Sequence, residues 1–405
     1  MNAPSQNAST SKAIVADAVR GSLERSSWIR KMFEEGARLK AEHGAENVFD
    51  FSLGNPILEP PPEVQEALRG LLTDPQPGLH RYIPNAGLPE VRSFIAGELG
   101  EATGLPYTAG HIVLSCGAAG AVNCVLKALL NPGDEVVTFT PYFVEYDFYV
   151  ANHGGRLVRS PTDDSFQIDL ANLEAVVTER TRAVMINSPN NPTGVVYPAE
   201  RLEALAAFLR EASARFGRPI VLISDEPYRQ LAFDGVEVPW VPPLYEHTLV
   251  IHSHSKDLGL AGERIGYAAV SPHMAECDLL CDALVLANRI LGFVNAPALI
   301  QRILPLVKGA RVDVAYYQAM RDRMLAPLRE MGYEMVTPQG AFYLFPKSPI
   351  EDDVAFVKAA QAERLLLVPG SGFGGPGHFR ISLAVPEDVV DRSLPVFEKV
   401  LRQVG

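Results

Sequence analysis

Short apolar runs alternate with helical patterns through the middle of this chain, and no other feature constrains its fold as strongly. The runs lie at residues 112–115, 135–140, 183–187, 220–224, 249–253 and 265–270. Strands that are almost continuously apolar are buried on both faces, which is typical of parallel strands joined by helices. The alternation therefore predicts an α/β core: a mostly parallel sheet with helices on both faces.

The sequence on either side of this core predicts further parts. An amphipathic pattern at residues 22–43 predicts a helix. A proline-rich stretch at 54–62 interrupts regular structure, because proline fixes φ and lacks an amide donor. Beyond about residue 275, long helical patterns precede two short apolar runs and a final helix from Pro386. We expect an N-terminal arm and helix at 1–60 that joins the small domain, a large α/β domain at 61–290 and a small α+β domain at 291–405.

The charge and the cysteine content exclude several classes of protein. The chain has 36 basic and 48 acidic residues, so its net charge of −12 argues against a nucleic-acid partner. Its 4 cysteines are too few for a disulfide-stapled fold and form no CxxC pair, so we expect a reducing compartment and no metal site. No apolar run approaches the roughly 20 residues of a membrane span, and the polar start lacks a signal-peptide core. We therefore expect a cytoplasmic protein that has no membrane partner.

Small and polar residues follow five of the apolar runs, at the strand ends where open α/β sheets bind their ligands. The segments are 115–120 (SCGAAG), 141–143 (PYF), 188–194 (SPNNPTG), 225–228 (DEPY) and 253–256 (SHSK). Each segment alone has an ordinary explanation as a turn, a helix cap or a solvent-exposed lysine. A small-residue turn from Gly117 to Gly120, before an expected helix at 121–130, suits a phosphate but matches no standard nucleotide-binding pattern.

Taken together, these segments resemble one family. In order along the chain stand Asn191-Pro192-x-Gly194, Asp225-x-x-Tyr228 and Ser253-x-Ser255-Lys256 with Arg264-x-Gly266, flanked by residues 80–87 (HRYIPNAG) and 379–382 (FRIS). This order resembles the class I and II aminotransferases, which are pyridoxal-phosphate enzymes of fold type I, similar to aspartate aminotransferase. The resemblance extends over roughly residues 45–400 and implies pyridoxal 5′-phosphate as the cofactor of the large domain.

The resemblance implies a role for each side chain around the cofactor ring. Lys256 forms the internal aldimine with the cofactor aldehyde, and its freed amine then moves a proton between the substrate Cα and the cofactor C4′. Asp225 keeps the ring nitrogen protonated through opposite charge, so that the ring acts as an electron sink. Tyr228 and Asn191 hydrogen-bond the phenolate oxygen, and Phe143 stacks on the ring. The catalytic residues implied are Lys256, Asp225 and Tyr228.

The cofactor phosphate has its own implied partners. The resemblance places Arg264, the Ser253 hydroxyl and the backbone N–H groups of Ala118 and Ala119 there. Many relatives have a hydroxyl residue in that turn, so this chain depends more on Arg264 and Ser253. Tyr82 matches a tyrosine that reaches the phosphate of the other subunit, which implies an obligatory homodimer.

The resemblance also implies how the substrate is held. Arg380 matches the arginine that binds the α-carboxylate through a planar fork of donors. Gly54 matches a position whose N–H faces the same carboxylate, and Asn191 is assigned to the substrate as well. The sequence leaves open whether Arg289 reads a second substrate carboxylate or lies on a solvent-exposed helix face. For His252 and His254, which flank Ser253, we expect a structural role.

The activity implied is a transamination in amino-acid metabolism, which moves an amino group from an L-amino acid to a 2-oxo acid in a ping-pong cycle. The alternative is another reaction on the same scaffold, since one carbanion can break different bonds. Such enzymes include C–S or β-lyases, decarboxylases, racemases and cyclopropane-forming synthases of the ACC-synthase type. A rival of another class is a non-enzymatic ligand sensor fused to a DNA-binding module. The roughly 50 residues before the resemblance are too short for that module, and the net charge has the wrong sign.

Overall fold

The computed structural model describes residues 14–75 and 77–404, except for the side chains of residues 24–33. The chain divides into two compact units between Val48 and Phe49. The first unit contains helix α1 (Asp17–His43), which begins earlier than the sequence pattern predicts. Residues 1–13 of the expected N-terminal arm lie outside the described part. The predicted domain boundaries after residues 60 and 290 stay predictions.

The second unit contains the remaining helices and all the strands of the described chain. The strands are β1 (Phe49–Asp50), β2 (Ile112–Cys116), β3 (Glu135–Thr140), β4 (Arg156–Pro161), β5 (Thr181–Asn187), β6 (Val221–Asp225), β7 (Thr248–Ser253), β8 (Ile265–Val270), β9 (Tyr343–Leu344), β10 (Leu365–Leu366), β11 (Val368–Pro369) and β12 (Phe379–Ser382). The helices are α2 (Pro62–Thr73), α3 (Pro89–Thr103), α4 (Gly117–Leu129), α5 (Glu145–Asn152), α6 (Leu170–Val176), α7 (Ala199–Phe216), α8 (His254–Asp257), α9 (Cys277–Ile290), α10 (Ala298–Ile303), α11 (Val314–Met331), α12 (Asp353–Ala362) and α13 (Glu387–Val404). Among the described residues, no helix combines the length and apolar composition that a bilayer span requires.

A seven-stranded sheet forms the centre of this unit, in the order β2-β8-β7-β6-β5-β3-β4. Strand β8 runs antiparallel to both neighbours, and the other adjacent pairs are parallel. All the predicted core strands lie in this sheet, which confirms the mostly parallel α/β core. The sequence analysis does not predict β4, because this edge strand exposes Arg156 and Arg159 and lacks a continuous apolar run.

Helices cover both faces of the sheet, as predicted. On one face, α4, α5 and α9 pack with Leu249 and Ile251 of β7 in one apolar cluster. On the other face, α2, α3 and α10 pack with Val250 in a second cluster. Successive residues of a strand point to opposite faces, so β2, β7 and β8 contribute to both clusters. Burial on both sides holds the strand ends in a defined arrangement.

The structure corrects the expected start of α4. The sequence predicts a turn from Gly117 to Gly120 before a helix at 121–130, whereas α4 begins at Gly117, directly after β2. Gly117 has a φ of +71°, a left-handed conformation that glycine adopts without steric cost. The N–H groups of Ala118 and Ala119 therefore belong to the first turn of a helix, where they have no intrahelical acceptor.

Two smaller sheets connect the start of this unit to its end. Strands β11, β12 and β9 form an antiparallel sheet, and β1 pairs in parallel with β10. After β1, the chain continues beside β12, where the Ser382 N–H donates to the Phe51 carbonyl oxygen at 2.9 Å. Ser52 consequently lies against Arg380, whose Nη2 donates to the Ser52 carbonyl oxygen.

Candidate active site

Neighbouring parallel strands bring their carboxyl ends to one edge of the central sheet. Strands β5, β6 and β7 end at Asn187, Asp225 and Ser253, and Asn187 lies opposite Asp225 in the register. Lys256 follows in α8, directly after β7. The predicted Asp225, Ser253 and Lys256 therefore share this edge, as expected of ligand sites in open α/β sheets.

Asp225 is buried with one carboxylate oxygen satisfied and one free. The Tyr146 hydroxyl donates to Oδ2 at 2.5 Å, whereas the buried Oδ1 has no hydrogen-bond partner in the protein. Burial raises the pKa of Asp225 to about 6; the Tyr146 hydrogen bond opposes this shift, and the nearby Glu226 charge adds to it. An unpartnered buried acceptor is rare in native proteins, so Oδ1 marks a place for an external donor.

Lys256 lies mostly buried on the same side of the sheet edge. Its Nζ donates to the Gly54 carbonyl oxygen at 3.1 Å and lies 5.3 Å from the Phe342 ring centroid and 6.0 Å from that of Tyr228. Burial lowers the pKa of Lys256 to about 8, and the positive charges of Arg264 and Arg380 lower it further. The amine therefore loses its proton more readily than that of an exposed lysine.

A hydrogen-bond chain runs from Asp225 to Arg380. Asn187 Nδ2 donates to the Asp225 carbonyl oxygen at 2.8 Å, and Asn187 Oδ1 accepts from the Asn191 N–H at 2.7 Å. Asn191 Oδ1 in turn accepts from Arg380 Nη1 at 3.1 Å. The chain ties the ends of β5 and β6 to strand β12, so the predicted Asn191 lies between the lysine side of the site and Arg380.

Arg380 is a buried cation without a carboxylate partner among the described residues. Its guanidinium carbon lies 4.6 Å from the ring centroids of both Tyr343 and Phe373, and its buried Nε has no hydrogen-bond partner. Burial lowers the pKa of Arg380 from its usual value, because the charged form loses hydration. A buried, rigidly held guanidinium of this kind suits a small carboxylate that arrives from outside.

Tyr228 and Gly54 are both positioned against Tyr343. The Tyr228 and Tyr343 hydroxyls are 3.1 Å apart, and burial raises the pKa of Tyr228 well above its usual value. A Cβ at position 54 would lie 2.3 Å from the Tyr343 hydroxyl oxygen. Gly54 is therefore required by close approach, which keeps its backbone next to Lys256.

A second group of residues lies at the start of α4. Arg264 lies next to Gly117, where its Nη2 would be 2.6 Å from a Cβ at that position. The Ser253 and Ser255 hydroxyls are 2.7 Å apart. Together with the free N–H groups of the first turn of α4, these donors suit a phosphate, because helix N-termini attract anions.

The structure does not bring every predicted residue into these groups. Tyr82 is 90% exposed. Within the described part of its own chain, it makes no hydrogen bond to the residues predicted to bind the cofactor phosphate. Phe143 is half-buried, with its ring centroid 5.5 Å from that of Tyr146, which places it close to Asp225. Arg289 lies exposed near the end of α9.

Sequence reasoning missed four residues that hold the predicted ones in place. Ser255 stands inside the motif that carries Lys256, and its serine spacing was the available signal. Tyr146 lies three residues after Phe143, nearly one helical turn, which was a weaker signal. Asn187 ends its strand and so fits the strand-end rule, whereas Tyr343 comes from β9, and nothing in the local sequence indicates its contact with Tyr228.

Comparisons with known proteins show the family of this chain. Residues 46–396 match the family model described as aminotransferase class I and II. The aspartate/prephenate aminotransferase of Thermus thermophilus is 34% identical over 360 residues, which cover 86% of this chain and 89% of the relative. The aspartate aminotransferase of Pyrococcus abyssi is 32% identical over 399 residues, 94% of this chain and 97% of the relative.

Solved structures match over almost the whole length. The crystal structure of an amino transferase from Eubacterium rectale has a TM-score of 0.93 and 40% identity, covering 96% of this chain and 99% of that chain. An aspartate aminotransferase from Thermotoga maritima has a TM-score of 0.83 and 28% identity, covering 96% of this chain and 100% of that chain.

Proposed function

The chain belongs to the class I and II aminotransferases, and on that premise we propose that Lys256, Asp225 and Arg380 form one transamination site. The protein is a pyridoxal-phosphate-dependent transaminase with the fold of that family. It transfers an amino group from an amino acid to a 2-oxo acid in two half-reactions of a ping-pong cycle. The observation that carries the assignment of the site is the buried, unpartnered Oδ1 of Asp225 at the sheet edge that also holds Lys256.

The described residues fit pyridoxal phosphate at both of its ends. Asp225 Oδ1 is the acceptor that a protonated ring nitrogen requires. Arg264, Ser253 and the N–H groups of Ala118 and Ala119 form a donor set suited to a dianionic phosphate. When bound, pyridoxal phosphate supplies an aldehyde that condenses with amines and a ring that holds the electron pair of the reacting carbon.

Around the ring, each residue of the chain has its own task. With the cofactor bound, Lys256 would take the proton from the substrate Cα and transfer it to C4′, the carbon of the cofactor aldehyde group. Asp225 keeps the ring nitrogen protonated, and the Tyr146 hydroxyl holds its carboxylate in place. Tyr228 and Asn191 donate hydrogen bonds to the phenolate oxygen, and Phe143 stacks on the ring.

On the substrate side, Arg380 binds the α-carboxylate. The contacts of Nη1 with Asn191 and Nη2 with Ser52 hold the guanidinium plane before the substrate arrives. The Gly54 N–H faces the same carboxylate. Because Arg380 is buried, its charge is weakly screened, which favours the carboxylates shared by amino acids and 2-oxo acids.

We also propose a homodimer with shared active sites. Tyr82 is 90% exposed within one chain, which supports its reaching the phosphate site of the partner subunit. Helix α9 exposes Leu279, Leu286 and Ile290, which form an apolar stripe that a subunit interface would cover. Sedimentation equilibrium of the holoenzyme tests this proposal: a dimer mass supports it, and a monomer at assay concentrations contradicts it.

A cytoplasmic location completes the proposal. The cysteines of the chain, Cys116, Cys124, Cys277 and Cys281, are all free thiols in the structure, which suits a reducing compartment. Fractionation of the source cells, with the protein detected by an antibody, tests this location: recovery with cytoplasmic markers supports it.

The half-reaction itself provides the test of the proposed chemistry. The holoenzyme is mixed with single amino acids and no oxo acid, starting with aspartate, the amino acid named in the relatives. We expect the absorbance of the cofactor to change to that of pyridoxamine phosphate, with one oxo acid released per site, measured by mass spectrometry. Released ammonia, carbon dioxide or a racemised amino acid, without pyridoxamine phosphate, would instead indicate a lyase, decarboxylase or racemase.

A further inference from the structure

Three ligand-type side chains meet where helix α8 follows strand β7. His252 comes from β7, and His254 and Asp257 come from α8, the helix that carries Lys256. His252 Nε2 lies 3.1 Å from Asp257 Oδ2, and His254 Nδ1 lies 3.0 Å from the same oxygen. We propose that these three side chains form a binding site for a divalent transition-metal ion such as Zn²⁺.

The spacing of the three ligand atoms fits a small tetrahedral ion. With metal–ligand distances of about 2.0–2.1 Å, neighbouring ligand atoms of a tetrahedron are about 3.3 Å apart. Two of the edges here measure 3.1 and 3.0 Å, and all three ligand atoms lie within 4.8 Å of one another. Two imidazoles and one carboxylate are a ligand set that zinc accepts in proteins, with a remaining position for water.

Contacts outside the cluster already orient two of the ligands. Nδ1 of His252 lies 3.1 Å from the Glu226 carbonyl oxygen, which only accepts, so Nδ1 carries the hydrogen and Nε2 points to the cluster. The Leu258 N–H donates to Asp257 Oδ1 at 2.8 Å, which leaves Oδ2 for the ion. Outer contacts of this kind to a carbonyl or an N–H are typical of protein metal sites.

A cavity of about 280 Å³ gives an ion and a water molecule a way to the cluster. It is lined by His252, His254 and Asp257 together with apolar side chains such as Phe94 and Trp240. A cavity of this size holds several water molecules, so a fourth ligand is available without rearrangement. The proposal therefore has its ligand set, its outer contacts and an entry path.

The position of the cluster indicates how a bound metal ion would affect transamination. Lys256 Nζ contacts Gly54, whereas the next residue, Asp257, contacts the two histidines, so the neighbouring side chains face opposite ways. An ion held by β7 and α8 would clamp the turn that presents Ser253 and Lys256 without touching cofactor or substrate. The metal thus stabilises the turn that carries Lys256 and has no part in the chemical step.

Cobalt(II) added to the holoenzyme is the probe, because a tetrahedral cobalt site has strong visible bands. We expect wild-type holoenzyme to develop these bands, and His254→Ala to lack them and to bind Zn²⁺ more than about 100-fold more weakly in a competition titration. The matched control is His273→Ala, which removes an exposed histidine and should keep both signals. Saturating Zn²⁺ should also raise the Tm of wild type and of the control, but not that of His254→Ala.

Two results would overturn the proposal. If wild type develops no tetrahedral bands, the three side chains are only a hydrogen-bonded triad. If His254→Ala keeps the bands, the ion binds elsewhere, for example at the free cysteines. Should His254→Ala lose its cofactor absorbance and its native circular dichroism, Asp257→Asn replaces it, because this variant keeps the side-chain shape and removes the charged ligand; the same two results then decide.

Discussion

The two ends of the candidate site differ in how far one chain completes them. At the ring end, Asp225, Asn191 and Arg380 are buried and linked through Asn187 by hydrogen bonds within the chain. At the phosphate end, Arg264 is exposed and Tyr82 is 90% exposed. The difference suggests that folding alone organises the groups that move protons and bind the substrate, whereas in the proposed homodimer a second subunit completes the phosphate end.

The largest expected effect is at the ring end. Replacing Lys256 by alanine should lower kcat by more than about 10³-fold, because a covalent and proton-transferring group is lost. The cofactor should still bind without a covalent bond through the phosphate end. Turnover reports on the ring end, and cofactor retention after gel filtration reports on the phosphate end. Lys347→Ala, which replaces an exposed lysine, is the control. Turnover near the wild-type rate would remove Lys256 from the mechanism.

The next effect concerns the charge that faces the ring nitrogen. Asp225→Asn keeps the shape of the side chain but removes the charge, so we expect kcat to fall about 10²–10³-fold, the scale of one lost electrostatic contact in a transition state. Single-turnover kinetics with a good amino donor measure this change. Asp282→Asn, at an exposed position on α9, should leave the rate unchanged. A loss below tenfold would contradict the role of Asp225.

The same substitution, Asp225→Asn, should stabilise the folded protein when no cofactor is bound. Burial raises the pKa of Asp225 to about 6 in the folded protein, from 3.8 when the side chain is exposed to water, so its ionisation opposes folding by about 3 kcal/mol above pH 6. This cost is absent below pH 3.8, where the carboxyl is protonated in both states, and it grows as the pH rises to about 6. Asp225→Asn should therefore raise the free energy of unfolding of the apoprotein at pH 7, by up to that amount.

Denaturant unfolding at several pH values measures this stabilisation, and the gain should shrink from pH 6 to pH 4. A gain that is independent of pH would show that the buried charge is not its cause. Asp282→Asn again serves as the control, since an exposed carboxylate has no comparable desolvation cost.

The smallest expected effect is at the phosphate end of the site. Tyr82→Phe removes one hydrogen bond to a charged phosphate, so we expect roughly tenfold weaker cofactor binding with little change in kcat. In mixed dimers of Lys256→Ala and Tyr82→Phe protomers, one site carries both changes and the other neither. Recovery of wild-type cofactor affinity in the active sites supports a tyrosine that crosses between subunits. Affinity that stays at the Tyr82→Phe level contradicts it.

Sequence patterns predicted the parts of the molecule that depend on local order. The apolar runs predicted every strand of the central sheet except β4, and the polar segments at the ends of these runs include Asp225, Ser253 and Lys256. The start of α4 was misplaced, because Gly117 and Gly120 suggest a turn although the left-handed Gly117 begins the helix directly. Small residues permit both conformations, and glycine at position 117 tolerates the positive φ with which the helix begins.

The contacts that no pattern predicted join distant parts of the chain. Tyr343 reaches Tyr228 only because β9 joins the sheet that contains β12. The triad of His252, His254 and Asp257 depends on how α8 turns after β7, a tertiary arrangement that the spacing of two histidines does not determine. In both cases the free energy of packing decides the geometry, and local propensity has little influence.

The pairing of β1 with β10 has a consequence for folding during synthesis on the ribosome. On a ribosome, Phe49 and Asp50 emerge long before their partners Leu365 and Leu366 exist. At roughly 5–20 residues per second, the wait lasts on the order of tens of seconds. During that time the backbone leading into Ser52 and Gly54 has no strand to pair with, so a nascent chain carries an open edge of the kind that chaperones cover.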